Sequence, residues 1–284
     1  MIKLIATDLD GTLFYPKRHM TLTTKANKEF LRDFYKAGGK VVLVTGRSFH
    51  IASKVEKKTG VPISIIGCNG AFVYEDGKFI IENPLDNNEL INLYNELKNK
   101  YGIGVWMVFD NSDKLKITVH VGGKVTKLGA RIGNRLQFSY KENFIAGEKK
   151  FVDCLSNNVN YKLMPVFGIT RIAYKRCKDA YIALQANYSD KFTIVASKNA
   201  MEITAPNINK ASVLKQYISK LGIEEDEVAV IGDSENDIVM FDTFKNSFVM
   251  SHAKKEIQER ANTVVDSVSD LRKYVLNDDK TLKE

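Results

Sequence analysis

The sequence contains few cysteines and lacks the long apolar run that a membrane span requires. Its three cysteines, Cys68, Cys154 and Cys177, form no CxxC pair, which argues for reduced thiols and against a disulfide framework or a zinc site. No apolar run approaches the roughly 18 residues of a transmembrane helix, and the N-terminus becomes acidic at Asp8, too early for a signal peptide. We therefore expect a cytoplasmic protein that has no membrane partner.

Basic charge is concentrated in the middle of the chain. Residues 84–205 hold 18 Lys and Arg against 11 Asp and Glu, whereas the whole 284-residue chain holds 42 against 34. A basic segment of this kind attracts anionic small molecules or nucleic acid. Because its lysines are scattered and form no run, a solvated surface explains them equally well, and nucleic acid is not the expected partner.

Apolar periodicity alternates between strand-like and helix-like stretches at both ends of the chain. Residues 3–7, 41–44 and 228–231 are short continuous apolar runs, which are typical of buried parallel strands. Residues 21–37 and 210–221 place apolar side chains three and four residues apart, as helices do. The pattern predicts an α/β fold, with a doubly wound, Rossmann-like parallel sheet whose two halves lie at opposite ends of the chain.

The middle of the chain has a different pattern. Residues 72–81 predict a β-hairpin, and Pro84 marks the entry into a segment that mixes helix-like and strand-like stretches. We predict a core domain formed by residues 1–83 and 206–284, interrupted by an inserted α+β domain at residues 84–205. The helix-like stretches of the insert are residues 87–100, 148–156 and 179–187.

Two acids follow the first predicted strand directly. Asp8 and Asp10 stand at its carboxyl end, where α/β sheets bind ligands, and Gly11 allows a sharp turn with the backbone close to a ligand. One carboxylate is able to attack phosphorus while the other transfers the proton of the leaving group. Taken alone, the motif is equally compatible with an acidic surface turn.

Candidate phosphate-binding groups follow the second predicted strand and begin a later helix. The hydroxyl of Thr45 and the amide of Gly46 are potential donors to a phosphate. Arg47 either grips substrate or pairs with a structural carboxylate. Lys210, at the start of a predicted helix, offers a point charge for phosphate, although lone lysines on helices are usually solvated.

Three acids follow the predicted strand at residues 228–231. Asp233, Glu235 and Asp237 carry hard carboxylate oxygens, which suit Mg²⁺. An acidic helix N-terminus that complements the helix dipole is the alternative interpretation. Because each motif follows a strand and parallel strands end at one edge of a sheet, we expect all of these side chains to meet.

Together and in this order, the motifs resemble the haloacid dehalogenase-like (HAD) hydrolase superfamily. The resemblance is closest to its Cof-type phosphatases, which carry a C2-type cap inserted after the second motif. It implies a Mg²⁺-dependent phosphatase that hydrolyses a small phosphorylated metabolite, such as a sugar phosphate, through a phospho-aspartyl intermediate, with the inserted domain as the cap. The segments that carry the resemblance are residues 8–13, 45–47, 69–71, 201–210 and 232–240.

The resemblance also implies a role for each motif residue. Asp8 would be the nucleophile and a Mg²⁺ ligand, and Asp10 would be the general acid and base and bind Mg²⁺ through its backbone carbonyl. Asp233 would be the third metal ligand, supported at the metal site by Asp237, and Lys210 would share the catalytic work. The groups implied to hold substrate or phosphate are the Leu9 amide, Thr45, Gly46, Arg47, Lys210 and Asn236.

The sequence departs from the family pattern at three places. Ala211 stands where the family usually has glycine, His252 stands where many relatives have asparagine, and residues 267–274 replace an acidic, glycine-containing stretch. We expect His252 to be structural. Two alternatives remain open: a phosphomutase of related fold, and a non-enzymatic anion or nucleic-acid binder with a vestigial site. The sequence predicts no oligomeric state.

Overall fold

The computed structural model describes residues 1–16, 22–111, 116–121, 141–145 and 147–284. These residues form two compact units. The core unit comprises residues 1–82 and 209–284, and the inserted unit comprises residues 83–208. The boundaries predicted from the sequence lie one and three residues from these, and the role of the inserted segment as a cap stays a prediction.

Strands and helices alternate through the core unit and mix in the inserted unit. The strands are β1 (Leu4–Thr7), β2 (Lys40–Val44), β3 (Ser64–Gly67), β4 (Phe72–Glu75), β5 (Lys78–Glu82), β6 (Val105–Asp110), β7 (Lys116–Val121), β8 (Lys141–Ile145), β9 (Asn160–Val166), β10 (Thr193–Ala196), β11 (Met201–Thr204), β12 (Val228–Gly232), β13 (Asn246–Met250) and β14 (Thr263–Val265). The α-helices are α1 (Lys25–Lys36), α2 (His50–Thr59), α3 (Asn87–Tyr101), α4 (Glu148–Asn157), α5 (Arg171–Tyr188), α6 (Lys210–Leu221), α7 (Ile238–Thr243), α8 (Lys255–Gln258) and α9 (Arg272–Val275).

The core unit is built on an eight-stranded, mainly parallel sheet. Its strand order is β14-β13-β12-β1-β2-β3-β4-β5, and only the hairpin β4–β5 runs antiparallel to its neighbours. Thr7 of β1 is level with Ile231 of β12 and Leu43 of β2, so these three strands end at the same edge. The predicted doubly wound α/β fold is confirmed, and the two halves of the sheet come from opposite ends of the chain.

Local sequence fixes where the helices beside this edge begin. The side chain of Thr24 accepts a hydrogen bond from the backbone N–H of Asn27 (3.1 Å), which caps α1; the predicted starting residue, Thr21, lies outside the described residues. Asn209 caps α6 in the same way and forms a reciprocal capping box with Ser212. The cap of α6 therefore fixes the start of the helix directly before Lys210.

The inserted unit has a second sheet of six strands, in the order β10-β11-β9-β6-β7-β8. All neighbours in this sheet are antiparallel except β7 and β8, which are parallel. The helices α3, α4 and α5 share one hydrophobic core with the sheet, which includes Tyr94, Trp106 and Phe151. This arrangement is the α+β organisation that the sequence predicted for the insert.

No helix within the described ranges has both the length and the apolar character that crossing a bilayer requires.

Candidate active site

Asp8 lies at the end of β1, where the chain turns sharply. Its backbone N–H donates to the carbonyl of Ile231 (2.9 Å), which continues the pairing of β1 with β12, and a short helical turn, Leu9–Leu13, follows. Gly11 has a φ of +84°, and a Cβ at this position would lie 2.2 Å from Oδ2 of Asp233. Glycine is therefore required both for the turn and for the close approach of Asp233.

Lys210 joins the nucleophile candidate to the acidic segment after β12. The side chain is buried, and its Nζ donates to Oδ1 of Asp8 (2.7 Å) and to Oδ1 of Asp237 (2.6 Å). Burial alone would lower the pKa of Lys210, but the two carboxylates outweigh it and raise the pKa above its usual value. Lys210 is therefore a fixed positive charge beside Asp8.

The surroundings of Asp8 raise the pKa of its carboxyl group. Burial raises the pKa of Asp8 to about 7, with the positive charge of Lys210 opposing the rise and the negative charge of Asp237 adding to it. Ionised Asp8 is therefore costly in this environment, and a cation beside it would reduce that cost. Lys210 offsets only part of this cost, because the pKa of Asp8 stays raised.

Asp237 organises the acidic segment. Its Oδ2 accepts hydrogen bonds from the backbone N–H groups of Asp233 and Ser234 (3.0 Å each), while its Oδ1 accepts from Lys210. A Cβ at Gly232 would lie 2.3 Å from Cγ of Asp237, so this close fit depends on a glycine. Both oxygens of Asp237 therefore accept hydrogen bonds from other groups of the site, and its role at a metal stays a prediction.

Three carboxylates lie close together here. Within the part of the chain that the structure describes, Asp8, Asp233 and Asp237 each offer an oxygen such that these atoms all lie within 4.8 Å of one another. Burial raises the pKa of Asp233, against the hydrogen bond that its Oδ1 accepts from Thr12 (2.7 Å). Carboxylate oxygens are hard ligands of the kind that Mg²⁺ accepts, usually one or two from the protein.

Asp10 points its carboxylate at Arg47. The Nε and NH2 atoms of Arg47 each lie 2.6 Å from one oxygen of Asp10, a bidentate ion pair, and the side chain of Asp10 is 59% exposed. Of the two roles that the sequence left open for Arg47, the structure shows pairing with a carboxylate. That carboxylate belongs to Asp10, the candidate general acid, and a substrate-binding role for Arg47 stays a prediction.

The end of β2 brings together candidate phosphate-binding groups and one residue that received no role from the sequence. Thr45 is buried, its Oγ1 accepts from the N–H of Arg47 (3.2 Å), and its carbonyl accepts from the N–H of Asn69 (2.9 Å). Asn236 donates to Oδ1 of Asn69 (3.3 Å). Asn69 has a φ of +59°, an unusual backbone conformation that the Asn-Gly pair in the sequence could have indicated. The phosphate-binding roles of Leu9, Thr45, Gly46 and Asn236 stay predictions.

His252 lies beside the acidic group, where the sequence gave no reason to place it. Its Nε2 is 3.9 Å from Oδ2 of Asp233, and its ring stacks on Tyr15 with centroids 3.8 Å apart. The residue belongs to the turn after β13, the neighbour of β12 in the sheet. A sheet edge built from non-consecutive strands thus brings in a group more than ten residues away from the acidic motif.

Comparison with known proteins supports the assignment that this geometry suggests. A family model described as haloacid dehalogenase-like hydrolase matches residues 5–271. The chain belongs to this family. The match spans both units, and the superfamily predicted from the motifs is confirmed.

Individual relatives agree with this membership in sequence or in fold. The phosphatase YwpJ of Bacillus subtilis is 32% identical over 39% of this chain and 34% of its own length. A phosphoglycolate phosphatase of Sulfolobus acidocaldarius is 33% identical over 37% of this chain and 45% of its own length. The chain thus matches less than half the length of these curated relatives. A solved HAD subclass IIB sugar phosphatase has the same fold, with a TM-score of 0.74 at 19% identity over 96% of this chain and 98% of that one.

Proposed function

We propose that this HAD-like hydrolase is a Mg²⁺-dependent phosphatase that forms a phospho-aspartyl intermediate on Asp8. The observation that carries the proposal is the contact of the Asp8 carboxylate with buried Lys210, in a cluster with two further carboxylates. A buried nucleophile beside a fixed cation suits attack on an anionic phosphate ester, because the lysine offsets the repulsion between the two anions.

The first half of the reaction belongs to Asp8 and Asp10. An oxygen of ionised Asp8 attacks phosphorus, the bond from phosphorus to the ester oxygen breaks, and protonated Asp10 gives its proton to that oxygen. In the second half, Asp10 takes a proton from water as the water oxygen attacks phosphorus. This step releases inorganic phosphate and restores the carboxylate of Asp8.

The divalent cation fits a defined set of residues. Asp8 and Asp233 would hold it through side-chain oxygens, and the backbone carbonyl of Asp10 completes the set that the family resemblance implies. When bound, Mg²⁺ supplies positive charge that stabilises the phosphoryl oxygens. Asp237 keeps Asp233 and Lys210 in place, and the missing Cβ of Gly11 leaves room for the carboxylate of Asp233.

We propose two kinds of contact between the protein and the substrate phosphate, one from a positive charge and the others from hydrogen-bond donors. Lys210 contributes the charge, and Thr45, Gly46, Asn236 and the Leu9 amide contribute donors to the phosphate oxygens. Arg47 holds Asp10 in the structure, and its exchange between Asp10 and substrate phosphate would release the acid when substrate binds.

A small phosphorylated metabolite is the substrate class that we propose. The relatives described above include a phosphoglycolate phosphatase and a sugar phosphatase, and both of these substrates are small organic phosphates. The excess of positive charge in residues 84–205 also favours an anionic substrate, because it attracts negative charge. A Mg²⁺-dependent screen over sugar phosphates, nucleotides and phosphorylated cofactors identifies the member of this class.

Replacement of Asp8 by asparagine tests the proposal. Asp8→Asn keeps an oxygen that accepts from Lys210 but removes the nucleophilic charge, so we expect hydrolysis of p-nitrophenyl phosphate with Mg²⁺ to fall by at least roughly a thousandfold. Asp226→Asn, at an exposed aspartate of the same unit, serves as the control and should leave turnover unchanged. Turnover by Asp8→Asn close to that of the unmodified protein would exclude Asp8 as the nucleophile.

A further inference from the structure

The core unit has a cleft of about 520 Å³ between helix α1 and the C-terminal end of the chain. This volume lies in the range of roughly 300–1,000 Å³ that small-molecule sites occupy. Four cations and two acids line the cleft, so it carries a surplus of positive charge, which a concave surface concentrates. The lining residues are Glu29, Arg32, Asp33, Lys36, Arg272 and Lys280.

The cleft lies at the opposite edge of the sheet from Asp8. Strands β1, β2 and β3 are parallel neighbours, and Asp8 follows the carboxyl end of β1. Helices α1 and α2 return the chain to the amino edge, where their last residues, Lys36 and Thr59, precede β2 and β3. The carbonyl of Thr59 accepts a hydrogen bond from Nε of Arg32. A ligand in the cleft therefore does not compete for the space beside Asp8.

Asp33 lies beneath two of the cations and holds them in place. Its carboxylate accepts from Arg272 (2.7 Å) and from Lys280 (3.2 Å). The side chain of Asp33 is only 15% exposed, whereas those of Arg272 and Lys280 are 37% and 60% exposed. The acid is thus largely covered, and the two cations that it positions remain accessible to a ligand.

The other two cations are not neutralised by an acid. Within the described ranges, Arg32 and Lys36 form no ion pair with a carboxylate, and both are exposed. The partner that holds Arg32 is the neutral carbonyl of Thr59, which fixes the guanidinium without compensating its charge. Three of the four cations are therefore held by protein groups before any ligand arrives, which lowers the entropy that a ligand must overcome.

We propose that the cleft is a second ligand site, which binds a small organic molecule that carries phosphate. A phosphate group presents three acceptor oxygens and about two negative charges, so it engages several cations at once. The planar guanidinium groups of Arg32 and Arg272 match the oxygens of phosphate. This site goes beyond the proposed function and does not depend on the chemistry at Asp8.

A nuclear magnetic resonance titration of the isotopically labelled full chain with methylenediphosphonate tests the proposal. The P–C–P linkage of this probe contains no ester bond for a phosphatase to cleave. The titration omits Mg²⁺, which would bind the probe and draw it to the carboxylate cluster of Asp8. We expect saturable shifts of backbone amide signals at residues that line the cleft.

Replacements of cleft cations measure their contributions to binding. We expect Arg32→Gln to weaken binding of the probe by about tenfold, because a hydrogen bond to a charged group is lost. Lys36→Gln, at a more flexible surface charge, should weaken it by about threefold. Lys220→Gln is the matched control, because Lys220 is also a lysine in the last turn of a core-unit helix but does not line the cleft. It should leave the affinity nearly unchanged.

Four results would overturn the proposal. These are the absence of shifts at millimolar probe, shifts confined to residues around Asp8, an unchanged affinity in both cleft variants, and an equal loss in Lys220→Gln, which would mean attraction by net charge alone. Malonate, the dicarboxylate of the same design, tests the class of ligand and should bind more weakly. Binding of malonate as tight as that of methylenediphosphonate would contradict the assignment to phosphate.

Discussion

At the scale of single residues, Asp237 stabilises the site through the hydrogen bonds that its carboxylate accepts. Its buried carboxylate receives Lys210 on one oxygen and two backbone N–H groups on the other. The sequence predicted this acid at the cation site, and the contacts show how it would support a site of that kind. Removing it leaves a buried lysine with one carboxylate partner where there were two.

Asp237→Ala should therefore destabilise the protein strongly. Breaking a buried ion pair costs about 3–5 kcal/mol, and because Lys210 keeps Asp8 as a partner we expect about 3 kcal/mol, measured by urea denaturation. Asp242→Ala, which removes a surface pair with Arg260, is the matched control and should change the free energy of unfolding little. A small effect of Asp237→Ala would mean that the buried contacts described here do not stabilise the fold.

Glycine is needed at position 11 for two reasons, its positive φ and the close approach of Asp233, and a comparison with Gly38 distinguishes them. Gly11 and Gly38 both have positive φ, but a Cβ at Gly38 meets nothing within 4 Å, whereas one at Gly11 meets Asp233. Both alanine variants should lose stability through backbone strain. Only Gly11→Ala should also lose Mg²⁺ affinity, by about tenfold or more, in calorimetric titration. Equal Mg²⁺ affinity in the two variants would contradict the placement of Asp233.

At the scale of secondary-structure elements, an ion cluster links α1 to the C-terminal helix α9. Asp33 accepts from Arg272 (2.7 Å) and from Lys280 (3.2 Å). Partial burial alone would raise the pKa of Asp33, but the two hydrogen bonds and the two cations outweigh it and hold the pKa below its usual value. A lowered pKa means that ionised Asp33 stabilises the folded state.

The stabilisation by Asp33 should depend on pH in a defined direction. It is fully present above the unfolded-state pKa of about 3.9 and is lost as the pH falls through the lower pKa of the folded state. We expect unmodified protein to melt above Asp33→Asn at pH 7, with the difference shrinking as the pH falls below about 4. Asp278→Asn, an exposed replacement in the same terminal region, should show no such trend. A difference that stays constant down to pH 3 would contradict this account.

Elements with strong apolar periodicity were predicted well, and elements with weak periodicity were not. The helix predicted at residues 210–221 is observed with those bounds, because large apolar side chains and an Asn cap mark it. Helix α5 was predicted only from residue 179, but it begins at Arg171 after a Thr170 cap. The buried face of α5 includes Ala173, Cys177 and Ala180, which are too small to give a clear apolar pattern.

Strand β9 was not predicted, because its sequence contains residues that argue against a central strand. It lies between β11 and β6 in the second sheet, yet it contains Pro165, which normally argues against a central strand, and a buried Lys162. The buried charge is paired with Glu202 (3.4 Å) and lies over the ring of Phe109. A cross-strand pair of this kind is invisible in the sequence, because its partners are 40 residues apart.

At the scale of the whole molecule, parallel pairing explains why the site was predictable. The ends of β1, β2 and β12 share one edge, so motifs from residues 8, 45 and 233 had to meet once the sheet was inferred. Side-chain pairing within that edge was not predictable. The contacts of Lys210 with Asp8, of Arg47 with Asp10 and of His252 with Asp233 depend on rotamers and loop paths that strand patterns do not encode.

In the proposed mechanism, the phosphoryl group of the substrate is transferred to a carboxylate oxygen of Asp8. Rapid quenching of the unmodified protein during hydrolysis of p-nitrophenyl phosphate with Mg²⁺, followed by borohydride reduction and peptide mass spectrometry, tests it most directly. Reduction converts an aspartyl phosphate into homoserine, so we expect homoserine at position 8 of the unmodified protein and none in Asp8→Asn. Steady hydrolysis with no homoserine at position 8, or with homoserine at another aspartate, would contradict it.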